Sequence, residues 1–239
     1  FAALATTSAG YAFSRGLPDG SVGRPEALAY AAAIAAATEL PVNGDLENGF
    51  GEKPEIAAET EQFAAAAGLV GGSIEDASRE GDRFIYEIDH AVERVRAAAE
   101  AAHALPFSFL LTARAENYLY GRPEPGDTIR RLQRYQEAGA DVLYAPGLTT
   151  REEISTVVRA VHRPVNVLMG LPGAAFTLAD LAELGVRRVS VGSALSRVAL
   201  GAFLAAAREM RDQGAFTFAG DAAGLDDLNA AFGDGGPNS

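Results

Sequence analysis

Acidic side chains stand where short apolar runs stop. Asp45 and Glu47 close a run at residues 42–46, and Glu75 with Asp76 follows one at 70–74. Arg114 and Glu116 lie just beyond a run at 107–112, and Asn166 lies inside one at 165–168. Thr7 and Ser8 end the first run, and Ser190 and Ser193 mark the last. Like-charged carboxylates gathered in one cavity oppose folding unless a cation neutralises them. Oxygen donors without His or Cys suit a hard ion, Mg²⁺ or Mn²⁺. The chemistry open to such a group is stabilisation of a negative charge that develops during reaction.

Each piece also has a plainer reading. An Asp-x-Glu pair most often lies in a solvated loop. Here Asp45 and Glu47, two apart, would share one side of an extended segment. The glycines in Asp45-Leu46-Glu47-Asn48-Gly49-Phe50-Gly51 would let the chain turn beneath a ligand. Arg114 could serve a structural ion pair. His90, His103 and His162 fall on separate helical segments and read as surface or core residues. Arg130-Arg131-Leu132-Gln133-Arg134 reads as a solvated helix face, and Tyr118 and Tyr120 as rim aromatics.

Composition narrows the classes. A net charge of -12 argues against nucleic acid or an anionic membrane surface as partner. It leaves a small anion open, because a metal and an Arg can reverse the local field. No apolar stretch reaches the roughly 18 residues of a spanning helix, and the start has no signal-peptide pattern. The absence of cysteine excludes thiolate ligands and thiol nucleophiles. A cytoplasmic enzyme is the plain expectation. Lys53 is the single lysine and lies in a loop, which argues against Schiff-base chemistry.

The elements that must position these residues alternate along the chain. Strands are expected at residues 3–7, 42–46, 70–74, 107–112, 142–145, 165–168 and 189–191. Helices are expected at 25–39, 54–67, 86–104, 127–138, 150–161, 177–184 and 195–213. Pro25 and Pro54 suit first turns, and Asp127, Thr150 and Thr177 suit caps. Gly68, Gly139 and Gly185 mark helix ends. Repeated β-then-α units imply parallel strands with right-handed crossovers. The expected fold is a (β/α)₈ TIM barrel whose first strand lies upstream of Phe1, since the chain opens inside an apolar run without Met. The alternative, an open doubly wound sheet, lacks a Gly-x-Gly-x-x-Gly turn. One domain is expected over residues 1–232, with an extra helix at 225–232 and a flexible tail at 233–239. In such barrels catalytic groups project from the C-terminal strand ends.

Taken in order, the motifs resemble the isocitrate lyase / phosphoenolpyruvate mutase superfamily over nearly the whole chain. They are Thr6-Thr7-Ser8-Ala9-Gly10 with Gly16-Leu17-Pro18-Asp19, Asp45-Leu46-Glu47-Asn48-Gly49-Phe50-Gly51 and Ser73-Ile74-Glu75-Asp76. Thr112-Ala113-Arg114-Ala115-Glu116, Ala138-Gly139-Ala140-Asp141 with Pro146-Gly147, and Pro164-Val165-Asn166-Val167 follow. The resemblance implies Mg²⁺, held largely through water, near Asp45, Glu47 and Glu75. It implies an acidic residue near the reacting group at Asp19 and a carboxylate- or phosphonate-binding loop at Thr7, Ser8 and Ala9. Arg114 matches a substrate-binding arginine and Asn166 a pocket-lining amide. A small 2-oxo acid or phosphonate is the implied partner, in a homodimer or homotetramer that exchanges its last barrel helix.

The chain departs from the pattern after Asp76. The lyases of this group resemble one another in a Lys-Lys-Cys-Gly-His lid motif. Here the stretch from Ala77 to Tyr86 has no Cys, Lys or His, which argues against isocitrate cleavage. The Lys and Asn of the mutase lids are missing too. Tyr86, Arg79 and Glu116 are candidates for the vacant acid/base role, each with a structural reading beside it. The stretch from Gly185 to Ala194 resembles a phosphate loop, although a buried turn before a helix explains it equally well. A binding protein that kept the metal site and lost turnover is the remaining alternative.

Overall fold

The computed structural model describes residues 1–78 and 84–233. Seven strands follow one another in sequence order: β1 (Leu4–Ala5), β2 (Val42–Asp45), β3 (Gly71–Glu75), β4 (Leu110–Arg114), β5 (Val142–Tyr144), β6 (Val165–Leu168) and β7 (Arg188–Ser190). Every adjacent pair is parallel. Between them run α1 (Ser8–Ser14), α2 (Arg24–Ala36), α3 (Pro54–Ala66), α4 (Ile88–His103), α5 (Pro125–Glu137), α6 (Arg151–Ala160) and α7 (Leu178–Glu183). The result is a nearly closed TIM-type barrel, and the sequential strand order sets aside a doubly wound sheet.

Local chemistry explains most boundaries. Thr150 and Thr177 each close a capping box, with Glu153 and Asp180 respectively. Pro54 opens α3 in the first turn, where its missing N–H costs nothing. Apolar strand residues such as Ile74, Leu111 and Leu143 are buried beneath helix residues such as Ala57, Val95, Leu132 and Ile154.

Beyond shifts of a few residues at other ends, three elements differ from expectation. The fourth strand runs Leu110–Arg114 rather than 107–112, because pairing with β3 begins at Leu110 opposite Gly71. Before that point Phe107 is exposed and meets Phe109 edge-on. The fifth helix starts at Pro125, two residues before Asp127, whose carboxylate pairs with Arg131 instead of capping. The segment after β1 is helical: Thr7 caps α1 by accepting a hydrogen bond from the Gly10 N–H.

Contacts divide the chain into Phe1–Ala194, which holds all seven strands, and Leu195–Ser239. The described part of the second unit comprises most of α8 (Ala194–Gln213), a 3₁₀ turn (Thr217–Asp221) and α9 (Leu225–Gly233), none with a buried residue. The expected tail lies outside the described residues from position 234 onward.

Candidate active site in the barrel mouth

Strand pairing sets the site. Glu75 lies opposite Arg114, Arg114 opposite Tyr144, Tyr144 opposite Asn166, and Asn166 opposite Arg188. One row across five strands therefore reads acid, guanidinium, phenol, amide, guanidinium. Strands of a closed barrel tilt, so such a row descends as it goes round. The hydrogen bonds bear this out: Arg188 donates to Thr112 Oγ1 (3.1 Å) and Asn43 Oδ1 (3.0 Å). Those residues stand two positions below Arg114 and Asp45 on their strands.

Arg114 is the hub. Its Nη1 lies 3.0 Å from Asp45, its Nη2 3.0 Å from Glu75 and its Nε 2.9 Å from Glu116. Its guanidinium carbon stands 5.2 Å from the Tyr144 ring centroid. Burial works against the charged form, but Glu116, Glu75 and Asp45 outweigh it and hold the guanidinium well above its ordinary pKa. Burial likewise raises the Glu116 carboxyl, with Arg114 opposing the rise.

Asp45 also accepts hydrogen bonds from the Ser8 N–H and hydroxyl, both at 3.0 Å. The Ser8 hydroxyl is 3.4 Å from Asp19 Oδ1, which brings the loop after α1 to the rim. Thr7 caps α1 and Ala9 belongs to its first turn, so the predicted loop is a helix start whose Ser8 N–H is engaged by Asp45. Glu47 departs from the extended conformation expected of it. Strand β2 stops at Asp45, and Glu47 (φ 52°) and Phe50 (φ 59°) take left-handed backbone around a tight turn. Strain of this kind in non-glycine residues persists where the surroundings enforce it. The enforcement comes from α4: the Arg94 guanidinium donates to the carbonyls of Gly51 (2.6 Å), Lys53 (3.4 Å) and Asn48. Gly49 (φ 77°) completes the turn, where a Cβ would come within 3.2 Å of the Ala57 Cα. Asp45 and Glu47 line one small cavity with Thr6, Ser8, Tyr11 and Tyr30.

Neighbours on a strand face opposite ways, and this separates Glu75 from Asp76. Glu75 enters the barrel, whereas Asp76 turns outward to α5 and accepts from Arg131 (3.0 Å), Tyr135 (2.5 Å) and the Glu116 N–H (2.8 Å). Burial raises its carboxyl and those partners oppose the rise. Asp76 is thus a structural residue, and Arg131 belongs to its support rather than to a solvated face. Tyr86 is tied to the turn after β2: its hydroxyl donates to Glu52 (2.8 Å) and accepts from Asn48 (3.1 Å). Arg79 lies outside the described residues. Asn166 donates to Ser190 Oγ (2.9 Å), while its Oδ1 is buried without a hydrogen-bond partner.

Tyr144 and Arg188 escaped the sequence reading. The only available signal was their register with Arg114 and Asn166, and register is invisible until strand boundaries are fixed. The donor set suits a hard dication on charge grounds. Asp45, Glu75 and Glu116 surround the guanidinium of Arg114, and Glu47 lines a cavity with Asp45, leaving an excess of acid there. Among the described residues no three acidic or His side chains converge closely enough to ligate an ion directly.

A solved structure from Burkholderia cenocepacia, of a protein whose assignment as a lyase/mutase is itself provisional, is 58% identical to this chain. It superposes with a TM-score of 0.94, covering 99% of this chain and 85% of that one. An uncharacterized protein of Mycobacterium tuberculosis is 35% identical over 89% of this chain and 78% of its own length. The 2-methylisocitrate lyase of Halalkalibacterium halodurans is 28% identical over 95% of this chain and 75% of its own. Residues 1–211 match the phosphoenolpyruvate phosphomutase family. The chain therefore belongs to the phosphoenolpyruvate phosphomutase family.

Proposed function

We propose that the chain cleaves a C–C or P–C bond in a small 2-oxo or 2-hydroxy acid through an enolate, with Mg²⁺ (or Mn²⁺) as cofactor. The observation that carries this reading is Arg114, fixed between Asp45 and Glu75 at 3.0 Å in the barrel mouth. A guanidinium held by three carboxylates cannot reorient, so its charge is preorganised against an oxygen that becomes negative. Asp45, Glu47 and Glu75 would hold the ion through water. A bound ion supplies a second positive charge beside that oxygen. Ser8 and the start of α1 would bind the carboxylate or phosphonate end, Asn166 would line the pocket, and Asp19 would act at the reacting group. The active form is proposed to be a homodimer or homotetramer.

Incubating the protein with Mg²⁺ and a panel of 2-oxo and 2-hydroxy diacids, and assaying 2-oxo acid release, tests the reading. Release that stops on chelation supports it. Asp45→Ala and Glu75→Ala are expected to abolish the Mg²⁺ dependence while the barrel stays folded. Retained metal affinity in both variants would overturn the site assignment. The second reading, a binding protein without turnover, is favoured by the stretch after Asp76, which lacks Cys, Lys and His. Silence across the panel with Mg²⁺ still bound would select it.

A further inference from the structure

Cleavage to an enolate needs a proton delivered to carbon, and the segment after Asp76 offers no Cys, Lys or His to deliver it. The hydroxyls at the mouth differ in what they already do. Ser8 gives its proton to Asp45. Ser190 accepts from Asn166 and lies beside the Tyr144 phenol. With its oxygen engaged by Asn166, Ser190 keeps its own proton available to a neighbouring oxygen. The Tyr144 hydroxyl itself donates to no acceptor among the described residues, so its proton is uncommitted.

Three observations place that proton at the reacting centre. Tyr144 is the residue opposite Arg114 in the strand register. Its ring lies 5.2 Å from the Arg114 guanidinium carbon, so the group that would hold the enolate oxygen also fixes the phenol. Its residue is buried, and the Arg188 guanidinium is near enough to interact with it electrostatically. Burial pushes the phenol up to about 12, with Arg114 opposing the rise, so it remains protonated at working pH.

We propose that Tyr144 is the proton donor to the enolate carbon, in place of a lid residue; this rests on the function proposed above. Take a 2-oxo acid with a carboxylate on carbon 3. The C3–C4 bond breaks, its electron pair enters the C2–C3 bond of the enolate, and the carboxylate departs as CO₂. The Tyr144 O–H bond then breaks with its pair left on oxygen, and the proton forms a new C3–H bond as C2–O returns to a ketone. Arg114, Arg188 and the Ser190 hydroxyl stabilise the transient phenolate, and a solvent proton restores the phenol after product leaves.

The experiment compares wild type with Tyr144→Phe, which keeps the ring against Arg114. Turnover of a 3-methyl-substituted 2-oxo diacid is run in D₂O with Mg²⁺, and the configuration at the deuterated C3 of the product is read. Oxalate, a planar mimic of the enolate of a 2-oxo acid, is titrated into both proteins with Mg²⁺ as the binding probe. Removing a general acid is expected to lower kcat by roughly 10²- to 10⁴-fold. Oxalate affinity should stay within threefold, and the product should change from one C3 configuration to a mixture. A variant that turns over within threefold of wild type, with the same configuration, overturns the assignment of Tyr144 alone. So does a loss of rate matched by an equal loss of oxalate affinity, which marks a structural role. A wild type that turns over nothing overturns the functional reading and this inference together.

Discussion

Arg114 joins the stability of the site to its chemistry. Its three carboxylate partners are largely buried, so each has lost hydration that the guanidinium helps to replace. Arg114→Gln would leave those acids facing one another without a counter-charge. Breaking a buried pair typically costs about 3–5 kcal/mol, and removing one charge-stabilising donor costs about 10²–10³ in kcat. We therefore expect Arg114→Gln to lose both turnover and melting temperature. Arg114→Lys, which keeps the charge but not the fork of donors, should regain stability more than activity. Melting curves beside kcat measurements check this; equal recovery of both by Lys would contradict a role for the fork. Much of this site is legible in residue types. Asp45, Glu75 and Arg114 stand at strand ends, and alternation alone predicts that one of Glu75 and Asp76 faces inward. Which one depends on the strand's phase, and that is fixed by pairing with β4. Tyr144 could not be singled out for the same reason.

At the scale of elements, α3 and β3 are joined by an unusual contact. Glu61 on α3 is fully buried, and neither carboxyl oxygen has a hydrogen-bond partner. It packs so closely on Gly72 that a Cβ there would lie 2.1 Å from its Oε2, so only glycine fits. Burial alone pushes its carboxyl up to about 8. The sign follows from linkage. Between the ordinary carboxyl pKa and about 8 the folded state keeps a proton that the unfolded state releases, so stability falls as pH rises through this window. Glu61→Gln removes the titration. Its unfolding free energy should change less between pH 5 and pH 8.5 than that of wild type, as urea titrations at both pH values can read. Parallel pH profiles would exclude this origin. The sequence reveals the helix carrying Glu61, because the proline start and alanine-rich face of α3 are local signals. The burial is not legible, since Glu61 looks like any charged residue on an amphipathic helix until Gly72 is placed against it. The start of α1 was missed for a related reason: Thr7 caps a seven-residue helix too short for periodicity to reveal.

At the scale of the molecule, the seven parallel strands followed from the alternation of apolar runs with capped helices, a pattern that needs no tertiary contact to be read. Association is a separate matter. Within α8, Leu195, Val198 and Phe203 are each about 70% exposed. Leu204, Met210, Phe216 and Phe232 are exposed too. Apolar surface stabilises a complex by about 25 cal/mol for each Å² it removes from water, which favours covering these side chains with a second copy. The opposing term is charge, because each copy carries -12. Repulsion between like-charged copies is screened within a Debye length of about 10 Å at 0.1 M salt, whereas apolar contact is not weakened by salt. The proposed homo-oligomer should therefore tighten as salt is raised from about 20 to 300 mM, roughly the range over which the Debye length falls by several-fold. Val198→Asp with Phe203→Asp should shift it toward monomer. Light scattering across a dilution series at both salts reads the outcome. An assembly that loosens with salt, or survives both substitutions unchanged, would show that this face is not what joins the copies.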